Sequence, residues 1–135
     1  MDVDRPDVVA EVALAFATYE KALVDGDVEA MTEAFWADER VVRFGLDDRQ
    51  YGAVALREWR AVQPPLPPGR QLYDTRITTF GPEFAVVTTL FTYPDNRVEG
   101  RQSQTWARID GSWYIVGAHV SVVASLGDES TGVAR

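Results

Sequence analysis

The sequence predicts an α+β domain in which N-terminal helices cover one face of a curved antiparallel sheet. Three observations carry this. Helix-period stretches dominate the first half, strand-like stretches separated by turn residues fill the second, and the chain is long enough for one core: 135 residues, 46% hydrophobic and 25% charged. At this size about two-thirds of the unfolded surface is buried on folding, so no staple is needed. Residues 1–126 read as a single domain, and residues 127–135, small and polar, as a flexible C-terminal tail.

Within residues 8–24, Val9, Val12, Phe16, Tyr19 and Leu23 recur at three- and four-residue steps, which marks one stripe of an amphipathic helix. Arg5-Pro6-Asp7 makes the start, with Asp7 accepting the first free amide protons. Gly26 supplies a left-handed end, and Asp27 caps a second helix whose Met31 and Phe35 lie one turn apart. Residues 41–44 read as a short strand, Val42 and Phe44 on one face and Val41 and Arg43 on the other. A third helix follows over residues 53–61, with Leu56, Trp59 and Val62 on one side and Arg57, Glu58 and Arg60 on the other. The proline run at residues 64–68, closed by Gly69, stops that helix and forms a stiff connection inside the domain.

Residues 72–80 and 84–93 are strand-like around the turn Gly81-Pro82-Glu83, and Pro94-Asp95-Asn96 turns the chain again. Residues 101–109 and 112–124 flank Asp110-Gly111, a strong hairpin signal. With those two as the central pair, partners across the hairpin have numbers summing to 221, so Gln102 faces His119. Gln102, Gln104, Trp106, His119 and Ser121 then share one face, and Arg101, Ser103 and Thr105 the other. Both faces mix polar and apolar residues, as in a sheet with helices on one side and a second copy of the chain on the other. Gly117 in mid-strand marks a bend or bulge.

Composition narrows the function. With no cysteine there is no disulfide framework and no thiolate zinc site, and a lone histidine is a poor start for any metal site. A formal charge of −8 opposes nucleic-acid binding. No apolar run approaches the roughly twenty residues that span a bilayer, and the acidic N-terminus is no secretory signal. The expectation is a soluble cytoplasmic protein that uses no cofactor and binds neither nucleic acid nor membrane.

The run Gly100-Arg101-Gln102-Ser103-Gln104-Thr105-Trp106, followed by Gly111-Ser112-Trp113-Tyr114-Ile115-Val116 and Ala118-His119-Val120-Ser121, resembles the signature of the AtzH-like family. Tyr19-Glu20, Phe35-Trp36, Arg43-Phe44-Gly45, Gly52 and the stretch Ile77-Thr78-Thr79-Phe80-Gly81 fall in matching order. The family is similar in fold to SnoaL-like and nuclear transport factor 2-like (NTF2-like) proteins. The resemblance implies a cone-shaped curved sheet on N-terminal helices, a homodimer, and a pocket between sheet and helices. It also implies a decarboxylating amidohydrolase that acts on a carboxylated urea in nitrogen-compound catabolism, in support of a partner amidase. The catalytic residues it implies are Tyr19 and Arg43. Phe44 departs from the pattern, which has a tyrosine before the glycine.

The chemistry of these side chains allows more than one outcome. Arg43 has the fork that holds a carboxylate through two parallel bonds, and its plainer role is a pair with Asp47 or Asp48. Tyr19 is a proton donor or a core aromatic with a satisfied hydroxyl. Gln102, Gln104 and Trp106 line a pocket as amide and indole groups, with Ser121 on the same face, and equally Arg101, Ser103 and Thr105 opposite serve a dimer interface; His119, oriented by Gln102, offers its other nitrogen to a ligand or is a hydrogen-bonded core histidine. Glu20 and Asp74 are bases, partners for an arginine, or solvated charges, and Trp36 and Trp59 are core. The leading function is a metal-independent amidohydrolase-like enzyme that takes a small carboxylate-bearing molecule. The alternatives are a non-catalytic acid-binding or accessory module for an amidase, or an isomerase or dehydratase of SnoaL-like type with His119 as base.

Overall fold

The computed structural model describes residues 1–124, so the tail expected at 127–135 lies outside the described residues. Helices α1 (Pro6–Asp25) and α2 (Val28–Ala34) form a hairpin, strands β1 (Val42–Phe44) and β2 (Arg49–Tyr51) follow, and α3 (Ala53–Ala61) closes the first half. Strands β3 (Gln71–Phe80), β4 (Phe84–Tyr93), β5 (Asn96–Ile109) and β6 (Ser112–Ala124) complete a six-stranded sheet in the order β2-β1-β6-β5-β4-β3. The α+β class is therefore as expected. The sheet is not wholly antiparallel, because β1 runs parallel to β6. That pairing matters for the site, since it attaches Arg43 to the strand that follows the Asp110-Gly111 turn.

Local chemistry explains most boundaries. Gly26 ends α1 at φ 69°, its amide bonded back into the last turn, and the Asp27 side chain accepts from the Ala30 amide to start α2. At the other end of α1 the cap is Arg5, not Asp7, whose carboxylate takes the Arg5 guanidinium at 2.9 and 3.2 Å instead. Val8, rather than Val9, leads the buried stripe that continues through Val12, Phe16, Tyr19 and Leu23. Two elements exceed the sequence reading: β2 was not expected, and β5 begins at Asn96.

The core forms where that stripe, with Met31, Phe35 and Leu56, meets Ala85, Val87, Trp106 and Ile115 of the sheet. Trp106 and Ile115 are a cross-strand pair, 1% and 0% exposed. No helix among the described residues is long and apolar enough to cross a membrane.

The last hairpin corrects the expected register. Asp110 and Gly111 both have positive φ, as the tight turn requires, and the pairs from Ile109/Ser112 to Trp106/Ile115 follow the expected sum. Beyond them Thr105 pairs with Gly117, so Val116 is an extra residue, and Gln102 faces Val120 while His119 faces Ser103. A one-residue bulge reverses the face of everything after it. His119 and Ser121 therefore lie on the helix-free face, opposite to Gln102, Gln104 and Trp106.

Candidate functional site

Inner-face residues Gln104, Ala118, Arg43 and Gln50 form one row across β5, β6, β1 and β2. Arg43 thus projects to the helix side between Ala118 on β6 and Gln50 on β2. Its Nη1 donates to Asp48 Oδ1 at 2.8 Å and to Gln50 Oε1 at 3.1 Å, while Gln50 Nε2 donates to the same Asp48 oxygen at 2.9 Å. Gly45 makes room for this: a Cβ there would lie 2.5 Å from Asp48 Oδ1 and 2.8 Å from Arg43 Nη1. The guanidinium carbon sits 4.3 Å from the centre of the Trp59 ring. The plain pairing with Asp48 is thus present, but it uses one nitrogen. Nε and Nη2 have no protein partner among the described residues.

Tyr19 arrives from α1, 5% exposed, its ring edge-on to Phe35 at 5.8 Å. Its hydroxyl oxygen accepts from Arg60 Nη2 at 3.1 Å. Arg60 was expected on the polar side of α3, yet it is buried at 8% exposure and also flanks Trp59, 5.3 Å from the ring centre. The reason is helical: Arg60 stands one turn after Leu56, the other buried residue of α3. That four-residue step was the signal in the sequence. Trp59 likewise is not simple core but a half-buried platform between two cations. Trp36, also half-buried, carries Arg40 at 4.7 Å.

Electrostatics ties the cluster together. Burial pushes the Arg43 guanidinium below its ordinary value and the charge of Arg60 pushes the same way, while Tyr19 and Asp48 oppose them. Two guanidinium groups face one carboxylate, and Arg60 has no acidic partner among the described residues. Thr79 Oγ1 is the one described buried polar side-chain atom lacking a partner, so the unused nitrogens of Arg43 and Arg60 reach solvent. The site is a basic, water-connected cluster of Tyr19, Arg43, Trp59 and Arg60 suited to an anion.

A second buried arginine shows what a closed network looks like. Arg70 donates through Nε to Glu20 Oε1 at 3.0 Å, through Nη1 to the Tyr93 hydroxyl at 3.2 Å, and through Nη2 to Gln102 Oε1 at 3.0 Å. Gln102 Nε2 returns a bond to the other Glu20 oxygen at 3.0 Å. Burial works against the Arg70 charge, yet Glu20 and Tyr93 more than compensate and hold it above its ordinary value. Charge is balanced and every nitrogen is used, so this network joins α1, β4 and β5 to the end of the proline run. Nothing in the sequence singled out Arg70.

The remaining expected site residues divide between two faces. Gln104 Oε1 accepts from Trp106 Nε1 at 3.0 Å, and both side chains are buried on the inner face two strands from Arg43. His119 is exposed, edge-on to Phe44 at 5.9 Å, and with Ser121, Arg76, Arg101 and Asp74 borders a cleft of about 260 Å³ on the helix-free face. Asp74 pairs there with Arg76 at 3.1 Å, both exposed. No group of three or more potential metal ligands is assembled among the described residues.

The helix-backed, curved sheet is a fold that solved NTF2-like structures share. The chain belongs to the AtzH-like family, whose model matches residues 1–126. It is similar to a cystatin-like fold protein from Burkholderia xenovorans LB400, with 48% identity, 92% of this chain and 98% of that one covered, and a TM-score of 0.89. A protein of unknown function from the DUF3225 family of Pectobacterium atrosepticum SCRI1043 is 43% identical, with 91% and 96% covered and a TM-score of 0.88. An NTF2-like protein of unknown function from Pseudomonas putida KT2440 shares the fold at 16% identity, with 87% of each chain covered and a TM-score of 0.74. The comparison with curated proteins finds no match.

Proposed function

We propose that the chain is a small, metal-independent amidohydrolase-like enzyme that acts in the cytoplasm on a carboxylated urea or related small carboxylated amide. The observation that carries this is the convergence of Arg43 and Arg60 on Trp59, with Tyr19 bonded to Arg60, in a cluster with more positive than negative charge. The free Nε and Nη2 edge of Arg43 matches a carboxylate, and the indole of Trp59 walls the bound molecule. Tyr19 Oη has a hydrogen to give to a carbonyl or to the departing nitrogen. Such general-acid assistance is worth about 10² to 10⁴ in rate. Nitrogen-compound catabolism is the setting that membership of the family suggests.

The test is release of amine or carbon dioxide from a panel of small carboxylated ureas and amides. Tyr19→Phe and Arg43→Ala should each lower turnover at least a hundredfold, and turnover unchanged in both would remove the assignment. Thermal stabilisation by small acids without product, or co-purification with an amidase, would support the accessory role instead. The isomerase or dehydratase reading leaned on His119 as base, and His119 faces away from this cluster. We also propose that the protein works as a homodimer. Phe44, Tyr73 and Phe84, each 39–43% exposed, lie on the helix-free face that a second copy would cover.

A further inference from the structure

Arg60 is buried, has no carboxylate partner among the described residues, and spends its one side-chain hydrogen bond on Tyr19. A buried cation without a counter-charge works against folding, and an apolar side chain of similar length would fill the position at lower cost. We propose that Arg60 is a positioning residue that fixes Tyr19 as a one-way hydrogen-bond donor toward the bound molecule.

The geometry supports this in three ways. A guanidinium has no acceptor, so the 3.1 Å bond runs only from Arg60 Nη2 to the phenol oxygen. A phenolic O–H stays in the plane of its ring and has two orientations, and an Arg60 donor on one side leaves the hydrogen the other. The Tyr19 ring is held in turn by the edge contact with Phe35 at 5.8 Å and 74°, so the hydroxyl rotor is the freedom that remains for Arg60 to remove. No acceptor for that hydrogen exists among the described residues, which leaves it for a ligand. Electron withdrawal by the guanidinium also strengthens the O–H as a donor.

This inference rests on the donor role of Tyr19 given above, and the experiment separates the two. Two probes of similar size are used: N-carbamoylglycine, which carries a carboxylate and a urea, and butyrate, which carries a carboxylate alone. Wild-type protein should bind the ureide about tenfold more tightly, as one well-aligned hydrogen bond provides. Arg60→Met and Tyr19→Phe should each abolish that preference, Tyr19→Phe keeping butyrate affinity and Arg60→Met weakening butyrate only by the loss of its charge; the double variant should lose no more of the preference, and Arg60→Lys, also a pure donor, should keep most of it. With tyrosine carrying ¹³C at Cζ, one of five signals should vanish in Tyr19→Phe, and that same signal alone should shift in Arg60→Met.

A preference retained in Arg60→Met but lost in Tyr19→Phe overturns the positioning role and leaves the Tyr19 donor intact. An equal loss of butyrate and ureide affinity in Arg60→Met also overturns it, because Arg60 then holds the anion directly. Wild-type protein with no preference, its Tyr19 signal still responsive to Arg60→Met, overturns the donor reading itself. A Tyr19 signal unmoved by Arg60→Met shows that the hydrogen bond is absent in solution and overturns the inference.

Discussion

Replacing each of two buried arginines by methionine should have very different effects on stability. Arg70→Met leaves Glu20, whose side chain is 10% exposed, without a cation, its Oε1 unpaired and its Oε2 held only by Gln102, and it also removes donors to Tyr93 and Gln102. Breaking a buried pair from one side costs about 3–5 kcal/mol. For a domain of this length each kcal/mol is about 3–5 °C in Tm, so the melting temperature should fall by roughly 10–20 °C. Arg60→Met loses one bond to a neutral phenol, about 1.5–3 kcal/mol, and relieves a charge with no carboxylate beside it, a gain of about the same size because the remaining nitrogens reach solvent. The net is within about 1 kcal/mol of zero. Thermal unfolding should be followed in a buffer free of small carboxylates, since a bound anion would stabilise the wild type by mass action. If Arg60→Met melts ten or more degrees below wild type, its charge is compensated within the fold, and the surplus that identifies the site does not exist.

Gly45→Ala should weaken carboxylate binding at least tenfold with little loss of helical signal, because the new methyl would overlap Asp48 Oδ1 and Arg43 Nη1; titration calorimetry with butyrate reads this directly. The Asp38 carboxyl is held down to about 2, below its ordinary 3.8, first by its hydrogen bonds from the Arg40 guanidinium and then by the Arg40 amide. A depressed folded value contributes stability above the unfolded value and loses it as pH falls from 3.8 through about 2. Asp38→Asn should therefore lower the urea midpoint slightly at neutral pH, flatten the acid limb over that range, and leave the profile below about pH 2 unchanged. Tyr73→Glu, on the helix-free face, should shift sedimentation from dimer to monomer without altering the melting of the monomer unit, and an unchanged dimer would place the contact elsewhere.

The sequence and structure agree at most places where the deciding interaction is local. Gly26 and Asp27 mark the break between α1 and α2 because a left-handed residue and a side-chain cap act within one turn. Asp110-Gly111 likewise specifies its own turn through two positive φ angles. Arg60 was misplaced for a different reason. Its charge pointed to solvent, while its position one turn after Leu56 pointed inward, and helical geometry prevailed because Tyr19 and Trp59 stand there to receive it. For the last hairpin, Gly117 announced an irregularity, but only the partner strand decides which residue is left over.

By itself the chain dictated an α+β domain, the stripe that buries Tyr19, the strand face shared by Val41 and Arg43, and the turn that folds β5 against β6, because each follows from periodicity or backbone chemistry within a few residues. Tertiary structure alone decided that Arg60 joins Tyr19, that Arg70 closes a balanced network with Glu20, and that His119 and Ser121 turn outward. Those outcomes depend on contacts between residues as many as 82 positions apart and on a single unpaired residue in a ladder. Neither leaves a local trace strong enough to override the pattern in which it is embedded.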